Sequence, residues 1–494
     1  MEITLERKTH RDGRPVYQQI ADQIREAVAA RRLEVGTRLP PIRELAKRLG
    51  VNRDTVAVAY EALARSGLVK STVGRGTFVT DPPLPALPPP PFEPALSSLT
   101  ERLLVLERSR PRFGSAVDAV PMHALIPDPS LYPADAFRKS LNRALLAGGP
   151  ELFLYGGPQG HPRMREVLAK RLCSSGVQIS PDELVLCHGA SQGIGLALRL
   201  FAEPGDVIAV EEPTYNNVLA AASGLGLQTV PVPMRDDGPD LVALERALKR
   251  PEVKLLYTIP TFHNPLGTTT SVSHRRALLA VATRCGKPVI EDAYEADLGF
   301  EATPVPPLAA FDDAGIVVHL SSFSKSLFPG VRVGAVAAHG RLVDALTALK
   351  QATDLSDAMP LQAALAEFIE CGEYDRHLGR MRRLLRGRRD ALLEALDEHL
   401  PEGSRWTRPD GGYQVWVELP PGIDTSELLP DAVAAGVLFA PGAQFHHDGR
   451  PSNALRLTFA QADEAALRHG VEILGEVIRR RGAGAPRRID RVHI

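Results

Sequence analysis

Lys325 lies in the run SSFSKSLFPGVRVG, residues 321–334, directly after an apolar stretch and seven residues before Arg332. A buried lysine is costly unless it is paired or used chemically. One such use is a Schiff base to an aldehyde cofactor. Ser322, Ser324 and Arg332 would then supply hydroxyl and guanidinium donors to a cofactor phosphate.

Four upstream motifs fit the same chemistry. HGASQG, 188–193, is a Gly/Ser-rich turn opening a helix, where backbone N–H groups bind phosphate. EEPTYNN puts Tyr215 just past a strand end, placed to stack on a flat ring. TFHNPLG sets Asn264 in an Asn-Pro-x-Gly turn, able to hydrogen-bond a phenolic oxygen. VIEDAY ends a buried strand with Asp292, and Tyr294 lies two residues on. A carboxylate there needs a cationic partner, and a pyridinium N–H is a natural one.

These groups need a scaffold that gathers them. Strand-like runs at 183–187, 206–213, 253–260, 287–294 and 316–325 alternate with helical patterns. That alternation predicts a largely parallel α/β sheet, with chemistry at the carboxyl ends of its strands. From about residue 350, long helical patterns precede QVWVEL, VLFAPGAQF and ALRLTFA, which reads as a smaller α+β unit.

The N-terminal part has a different plan. Val16, Ile20, Ile24 and Val28 recur every four residues and predict a helix. Pro41 starts a second helix that stops at Gly50, and Asn52 caps a third that ends at Gly67. LVKST and GTFVT then form a hairpin, which completes a winged helix-turn-helix. In such a module Arg53 and Thr55 sit where a recognition helix enters the major groove. Arg43 precedes them, and the wing tip carries Gly74 and Arg75.

The run LEVGTRLPPIRELAKRLGVNRDTVAVAYEALARSGLVKSTVGRGTFVT closely resembles the DNA-binding domain of the GntR family of bacterial regulators. The resemblance implies that Arg43, Arg53, Thr55 and Gly74 contact double-stranded operator DNA. Pro41 and Asn52 depart from the family's usual helix-capping residues, which puts operator preference in doubt. Residues 115–480 resemble the fold-type-I pyridoxal-5′-phosphate aminotransferases of class I/II. The resemblance implies Lys325 as the internal-aldimine lysine and Asp292 as the pyridine-nitrogen partner. It assigns Asn264 and Tyr294 to the cofactor O3′ and Tyr215 to its ring. Ser191, Gln192, Ser322, Ser324 and Arg332 would hold the phosphate, and Tyr155 would reach it across a dimer interface. Arg456 would bind a substrate or effector α-carboxylate.

Head and body together resemble the MocR subfamily of regulators. The resemblance implies a PLP-dependent transcriptional regulator that senses an amino compound, pyridoxal phosphate, or both, and assembles as a head-to-tail homodimer. The alternative is a true aminotransferase of amino acids with an accessory DNA-binding domain; residual or full transaminase activity is compatible with either reading.

Composition agrees with a split chain. The 494 residues carry a net charge of −1, which taken whole argues against a nucleic-acid binder. Residues 1–80 hold 15 basic and 9 acidic groups, a net of +6, so the remainder stands at −7. Eight prolines in residues 82–94 read as an extended spacer. The expected domains are a winged helix-turn-helix over 1–80, a Pro-rich linker over 81–112, a large domain over 113–350 and a small domain over 351–494. Four scattered cysteines suggest neither a disulfide framework nor a zinc site. His446-His447 lacks a third ligand at metal spacing, so no metal is expected. With no signal-like or spanning segment, a cytoplasmic location is expected.

Overall fold

The computed structural model describes residues 3, 15–30, 32–72, 75–80, 94–109, 119–300 and 304–483. The chain separates into two compact units, Met1–Ala95 and Leu96–Ile494. Most of the proline run, wing residue Gly74 and the Arg-rich end beyond 483 lie outside the described residues.

The first unit has three helices, Val16–Ala29, Ile42–Leu49 and Arg53–Arg65, then the hairpin Val69–Thr72 and Gly76–Val79. Its core joins Ile20, Ile24, Leu45, Val56, Tyr60 and Leu63 to the strand residues Val69 and Val79. Of the expected first-helix stripe, only Ile20 and Ile24 are fully buried; Val16 and Val28 lie at the helix ends. Gly50 closes the second helix at φ 62°, a left-handed conformation that suits glycine. Asn52 caps the third helix by accepting from the Asp54 N–H at 3.2 Å. Tyr60 on that helix donates to the Pro40 carbonyl at 2.8 Å, fixing the start of the second helix.

The second unit is built on an eight-stranded sheet. Its order is Leu184–Cys187, Gly334–Ala337, Val317–Ser322, Val289–Ala293, Val253–Thr258, Val207–Glu212, Gln228–Arg235, Gly238–Pro239. The five strands from Val317–Ser322 to Gln228–Arg235 pair in parallel. Gly334–Ala337 runs antiparallel to both neighbours, an inversion that periodicity did not reveal. Several of these strands are buried along their whole length, because helices cover both faces.

A smaller antiparallel sheet orders Arg405–Trp406, Gln414–Glu418, Ala454–Thr458 and Ala440–Pro441. The stretch VLFAPGAQF, expected as one strand, divides into Val437–Leu438, Ala440–Pro441 and the short helix Gly442–Phe445.

Layers and the expected domain limits do not coincide. Residues 98–109, inside the expected linker, form the helix Ser98–Ser109 and pack on the helix Asn216–Gly224 of the second unit. Val120–Pro121 pairs with Val437–Leu438, tying the start of the expected large domain to the small one. Helix Met359–Glu370 packs on Ala134–Gly148 and Pro162–Ser174, so the large lobe extends past residue 350. Among the described residues no helix is long and apolar enough to cross a membrane.

Candidate functional site

The parallel strands deliver their loops to one edge. Tyr215 follows Val207–Glu212, Asn264 follows Val253–Thr258, Asp292 ends Val289–Ala293, and Lys325 follows Val317–Ser322. This convergence at the carboxyl ends is what a parallel α/β sheet provides.

Asp292 is buried, and Tyr257 from the neighbouring strand donates to its Oδ2 at 2.7 Å. Its Oδ1 is buried without a partner. Burial pushes this carboxyl up to about 6, while the Tyr257 bond pulls the other way. Asn264 Oδ1 accepts from Arg456 Nη1 at 2.9 Å, leaving a buried Nδ2 with no partner. Two buried polar atoms therefore await hydrogen bonds the protein does not make.

Lys325 Nζ donates to the Leu125 carbonyl. Burial pulls its pKa down; Glu295 opposes this, while Arg456 and Arg332 add to it. Such a lysine is a better nucleophile at neutral pH than an exposed one. Glu295, buried and held by Gln414 Nε2 at 3.3 Å, is pushed up to about 8 by burial and drawn back by Lys325. Gln414 also donates to the Tyr294 hydroxyl at 3.0 Å. The Tyr215 and Tyr294 rings lie nearly parallel, with centroids 6.4 Å apart.

An anion cup forms beside these groups. Helix Ala190–Phe201 opens at Gly189 with no side-chain cap, so its first N–H groups are available. Arg332 donates to the Ser324 hydroxyl at 3.4 Å and to the His188 carbonyl. Its φ of 49° is left-handed, a strained setting for a non-glycine residue, as is Phe262 at 51° in the Asn264 loop. A Cβ at Gly189 would stand 3.2 Å from the Arg332 guanidinium, so glycine there leaves room for the arginine. The Ser322 hydroxyl accepts from the Ser324 N–H at 3.3 Å, and Ser191 is exposed at the helix start.

One expected phosphate residue is placed differently. Gln192 is turned away: its side chain accepts from the His188 N–H at 2.8 Å and donates to Asp354 at 2.5 Å. Tyr155, expected to act across a dimer interface, is 85% exposed in the single chain.

Arg456, in the central small-sheet strand Ala454–Thr458, reaches across to this edge. Besides Asn264 it donates to the His123 carbonyl at 2.7 Å and lies 4.9 Å over the Phe445 ring. Phe445 belongs to a segment latched to the large lobe. Thr214 N–H donates to its carbonyl at 2.9 Å, and Glu212 accepts from His446 at 2.6 Å and Arg450 at 2.8 Å.

Sequence reasoning missed Tyr257, Glu295, Gln414 and Glu212. Glu295 had one signal, a third acid directly after Tyr294; the others are distant in sequence.

In the first unit, Arg43 and Arg53 line one small cleft with Arg38, which sequence reasoning also missed. Arg38 bridges to Phe78 on the second hairpin strand, and its guanidinium lies against Gly76. All three arginines are exposed, as is Arg75; Thr55 follows Arg53 on the helix. Clustered exposed arginines are chemically suited to meet phosphates and base edges.

Residues 128–474 match the family model "Aminotransferase class I and II", and residues 16–79 match "Bacterial regulatory proteins, gntR family". The chain is 30% identical to the probable rhizopine catabolism regulatory protein MocR of Rhizobium meliloti, over 93% of each chain. It is 34% identical to aromatic-amino-acid aminotransferase 1 of Thermococcus litoralis, covering 78% of this chain and 91% of that one. A solved structure, the multiple substrate aminotransferase from Thermococcus profundus, superposes with a TM-score of 0.71 at 34% identity, over 78% of this chain and 96% of the other.

Proposed function

We propose, from the premise that this chain belongs to the aminotransferase class I and II family and carries a gntR-family head, how it works as a PLP-dependent, DNA-binding transcriptional regulator. Its aminotransferase-like body senses an amino compound or pyridoxal phosphate itself, and its head binds double-stranded operator DNA. The observation that carries the reading is the pair of unpartnered buried atoms, Asp292 Oδ1 and Asn264 Nδ2, at the strand ends that also carry Lys325. A pyridine N–H and a phenolic oxygen would satisfy them.

When bound, pyridoxal phosphate supplies an aldehyde that condenses with primary amines and a ring that withdraws electrons. Asp292 would accept the ring N–H, Asn264 and Tyr294 would donate to the ring oxygen, and Tyr215 would cover the ring face. Ser191, Ser322, Ser324, Arg332 and the N-terminus of Ala190–Phe201 would hold the phosphate. Gln192 serves by buttressing that helix start, because its side chain already bridges His188 and Asp354. Lys325, with its depressed pKa, would offer a neutral amine for covalent attachment and, when displaced, a base.

Arg456 would take the carboxylate of an amino-acid effector and in doing so loosen its hold on Asn264. That exchange couples the small sheet to the large one and gives the effector a differential affinity for two lobe arrangements. Tyr155, with its exposed neighbours Phe153 and Leu154, suits a surface that meets a second copy in a homodimer. A dimer would present two heads to two half-sites.

The test is operator binding by the cofactor-loaded chain, with and without amino acids, compared with Lys325→Ala. The reading expects an effector-dependent change in operator affinity that the variant loses. An effector response that survives the loss of Lys325 overturns the sensing role of this lysine. Sustained turnover with a keto acid and no operator binding makes the chain an aminotransferase instead.

A further inference from the structure

Helices Ala134–Gly148 and Glu373–His399 frame a cleft of about 630 Å³. It is lined by other residues than the cup formed by Arg332 and Gly189. Lys139 lines it from the first helix; His377 and Arg380, three residues apart on the same face, line it from the second.

The charges around this cleft do not cancel. Arg143 at its edge is paired with Glu367 at 2.9 Å. The two acids at the rim already have partners, Asp135 with Arg138 at 3.4 Å and Glu373 with Arg376. Lys139 and Arg380 are both exposed and have no hydrogen-bond or ion-pair partner among the described residues. Two positive charges are left uncompensated.

The floor adds a second, independent observation. His377 is 1% exposed, and neither of its ring nitrogens has a hydrogen-bond partner. The Ser326 backbone lies against the ring without completing a bond. A buried imidazole with both nitrogens unpaired is unusual unless something else satisfies it. Burial, with Arg380 adding, pushes its pKa down to about 4, so the neutral ring keeps one N–H to give.

We infer that this cleft is a second ligand site, which binds a phosphate group through Lys139, Arg380 and the His377 ring. A phosphate dianion matches two uncompensated cations and offers oxygens enough for a third, neutral donor. The site abuts the lysine loop: Ser326 follows Lys325, and its hydroxyl donates to the Tyr374 hydroxyl of the same helix at 2.7 Å, the Tyr374 proton going to Asp297.

Equilibrium dialysis of the full chain with labelled inorganic phosphate, at constant ionic strength in chloride, tests the inference. The chain is first loaded with pyridoxal phosphate and freed of excess cofactor by gel filtration, and Arg332→Gln is run in parallel to weaken the cup. That pairing keeps a failure of the cofactor reading separate from a failure of this one. The expected result is one phosphate per chain, kept in Arg332→Gln and weakened roughly tenfold or more in Lys139→Gln/Arg380→Gln. Both substitutions are on exposed side chains and leave the core intact. Competition with glycerol phosphate separates an ester from free phosphate as the preferred occupant, and either preference supports the site. Binding that is undiminished in the double variant, or no stoichiometric phosphate in chloride, overturns it.

Discussion

Arg456 Nη1 donates to Asn264 Oδ1 at 2.9 Å, joining a strand of the small sheet to a loop of the large one. Burial lowers the Arg456 pKa to about 10, yet the side chain stays charged at neutral pH. Its removal is expected to weaken the response to amino acids by roughly 10–100-fold, the worth of a charge-assisted carboxylate bond. Arg456→Gln, titrated by absorbance, should lose that response while a decarboxylated amine retains its own. Equal losses for both ligands would remove the carboxylate assignment.

Asp292 gives a pH prediction for the protein without cofactor. Its folded carboxyl keeps a proton up to about pH 6, whereas an unfolded aspartate releases it near about 3.9. The native state therefore binds more protons across that window, and stability falls as pH rises through it. The loss is about 3 kcal/mol for a shift of about two pH units. Asp292→Asn still accepts from Tyr257 and should escape this loss, being more stable than the parent at pH 8 but not at pH 4 in urea unfolding. The same variant should bind pyridoxal phosphate more weakly.

Glu212 gathers His446, His447 and Arg450 onto the large lobe. Burial works against its ionisation, but the His446 bond, the His447 N–H and the charges of His446 and Arg450 outweigh it and lower its pKa. A depressed carboxyl contributes stability above its unfolded pKa and loses it as pH falls through the folded one. Glu212→Gln should cost about 1–3 kcal/mol at neutral pH, the worth of hydrogen bonds to a charged group, since Arg450 is half exposed and stays solvated when the carboxylate is lost. The difference from the parent should shrink in acid, which denaturation at two pH values measures.

The proposed DNA-binding role of the head predicts different effects for a base-reading and a backbone-contacting arginine. Arg53→Ala, at the first turn of its helix, should cost about 1–3 kcal/mol and relax discrimination at one base pair. Arg75→Ala should weaken all sequences alike and lower the salt slope of binding by about one. Operator titrations at several salt concentrations distinguish the two.

The sequence by itself determined the two-part plan, the helix caps of the head and the strand ends that carry Tyr215, Asn264, Asp292 and Lys325. These were legible because capping residues, apolar runs and Gly-rich turns act over a few residues. The inverted strand Gly334–Ala337, the helix inside the expected linker and the division of VLFAPGAQF were not legible, since pairing partners decide them. Tertiary structure alone brought Tyr257 beneath Asp292, turned Gln192 to Asp354 and supplied Glu212 to His446 across 234 residues. Each is a contact between segments far apart in the chain, set by sheet order and burial, which no local pattern encodes.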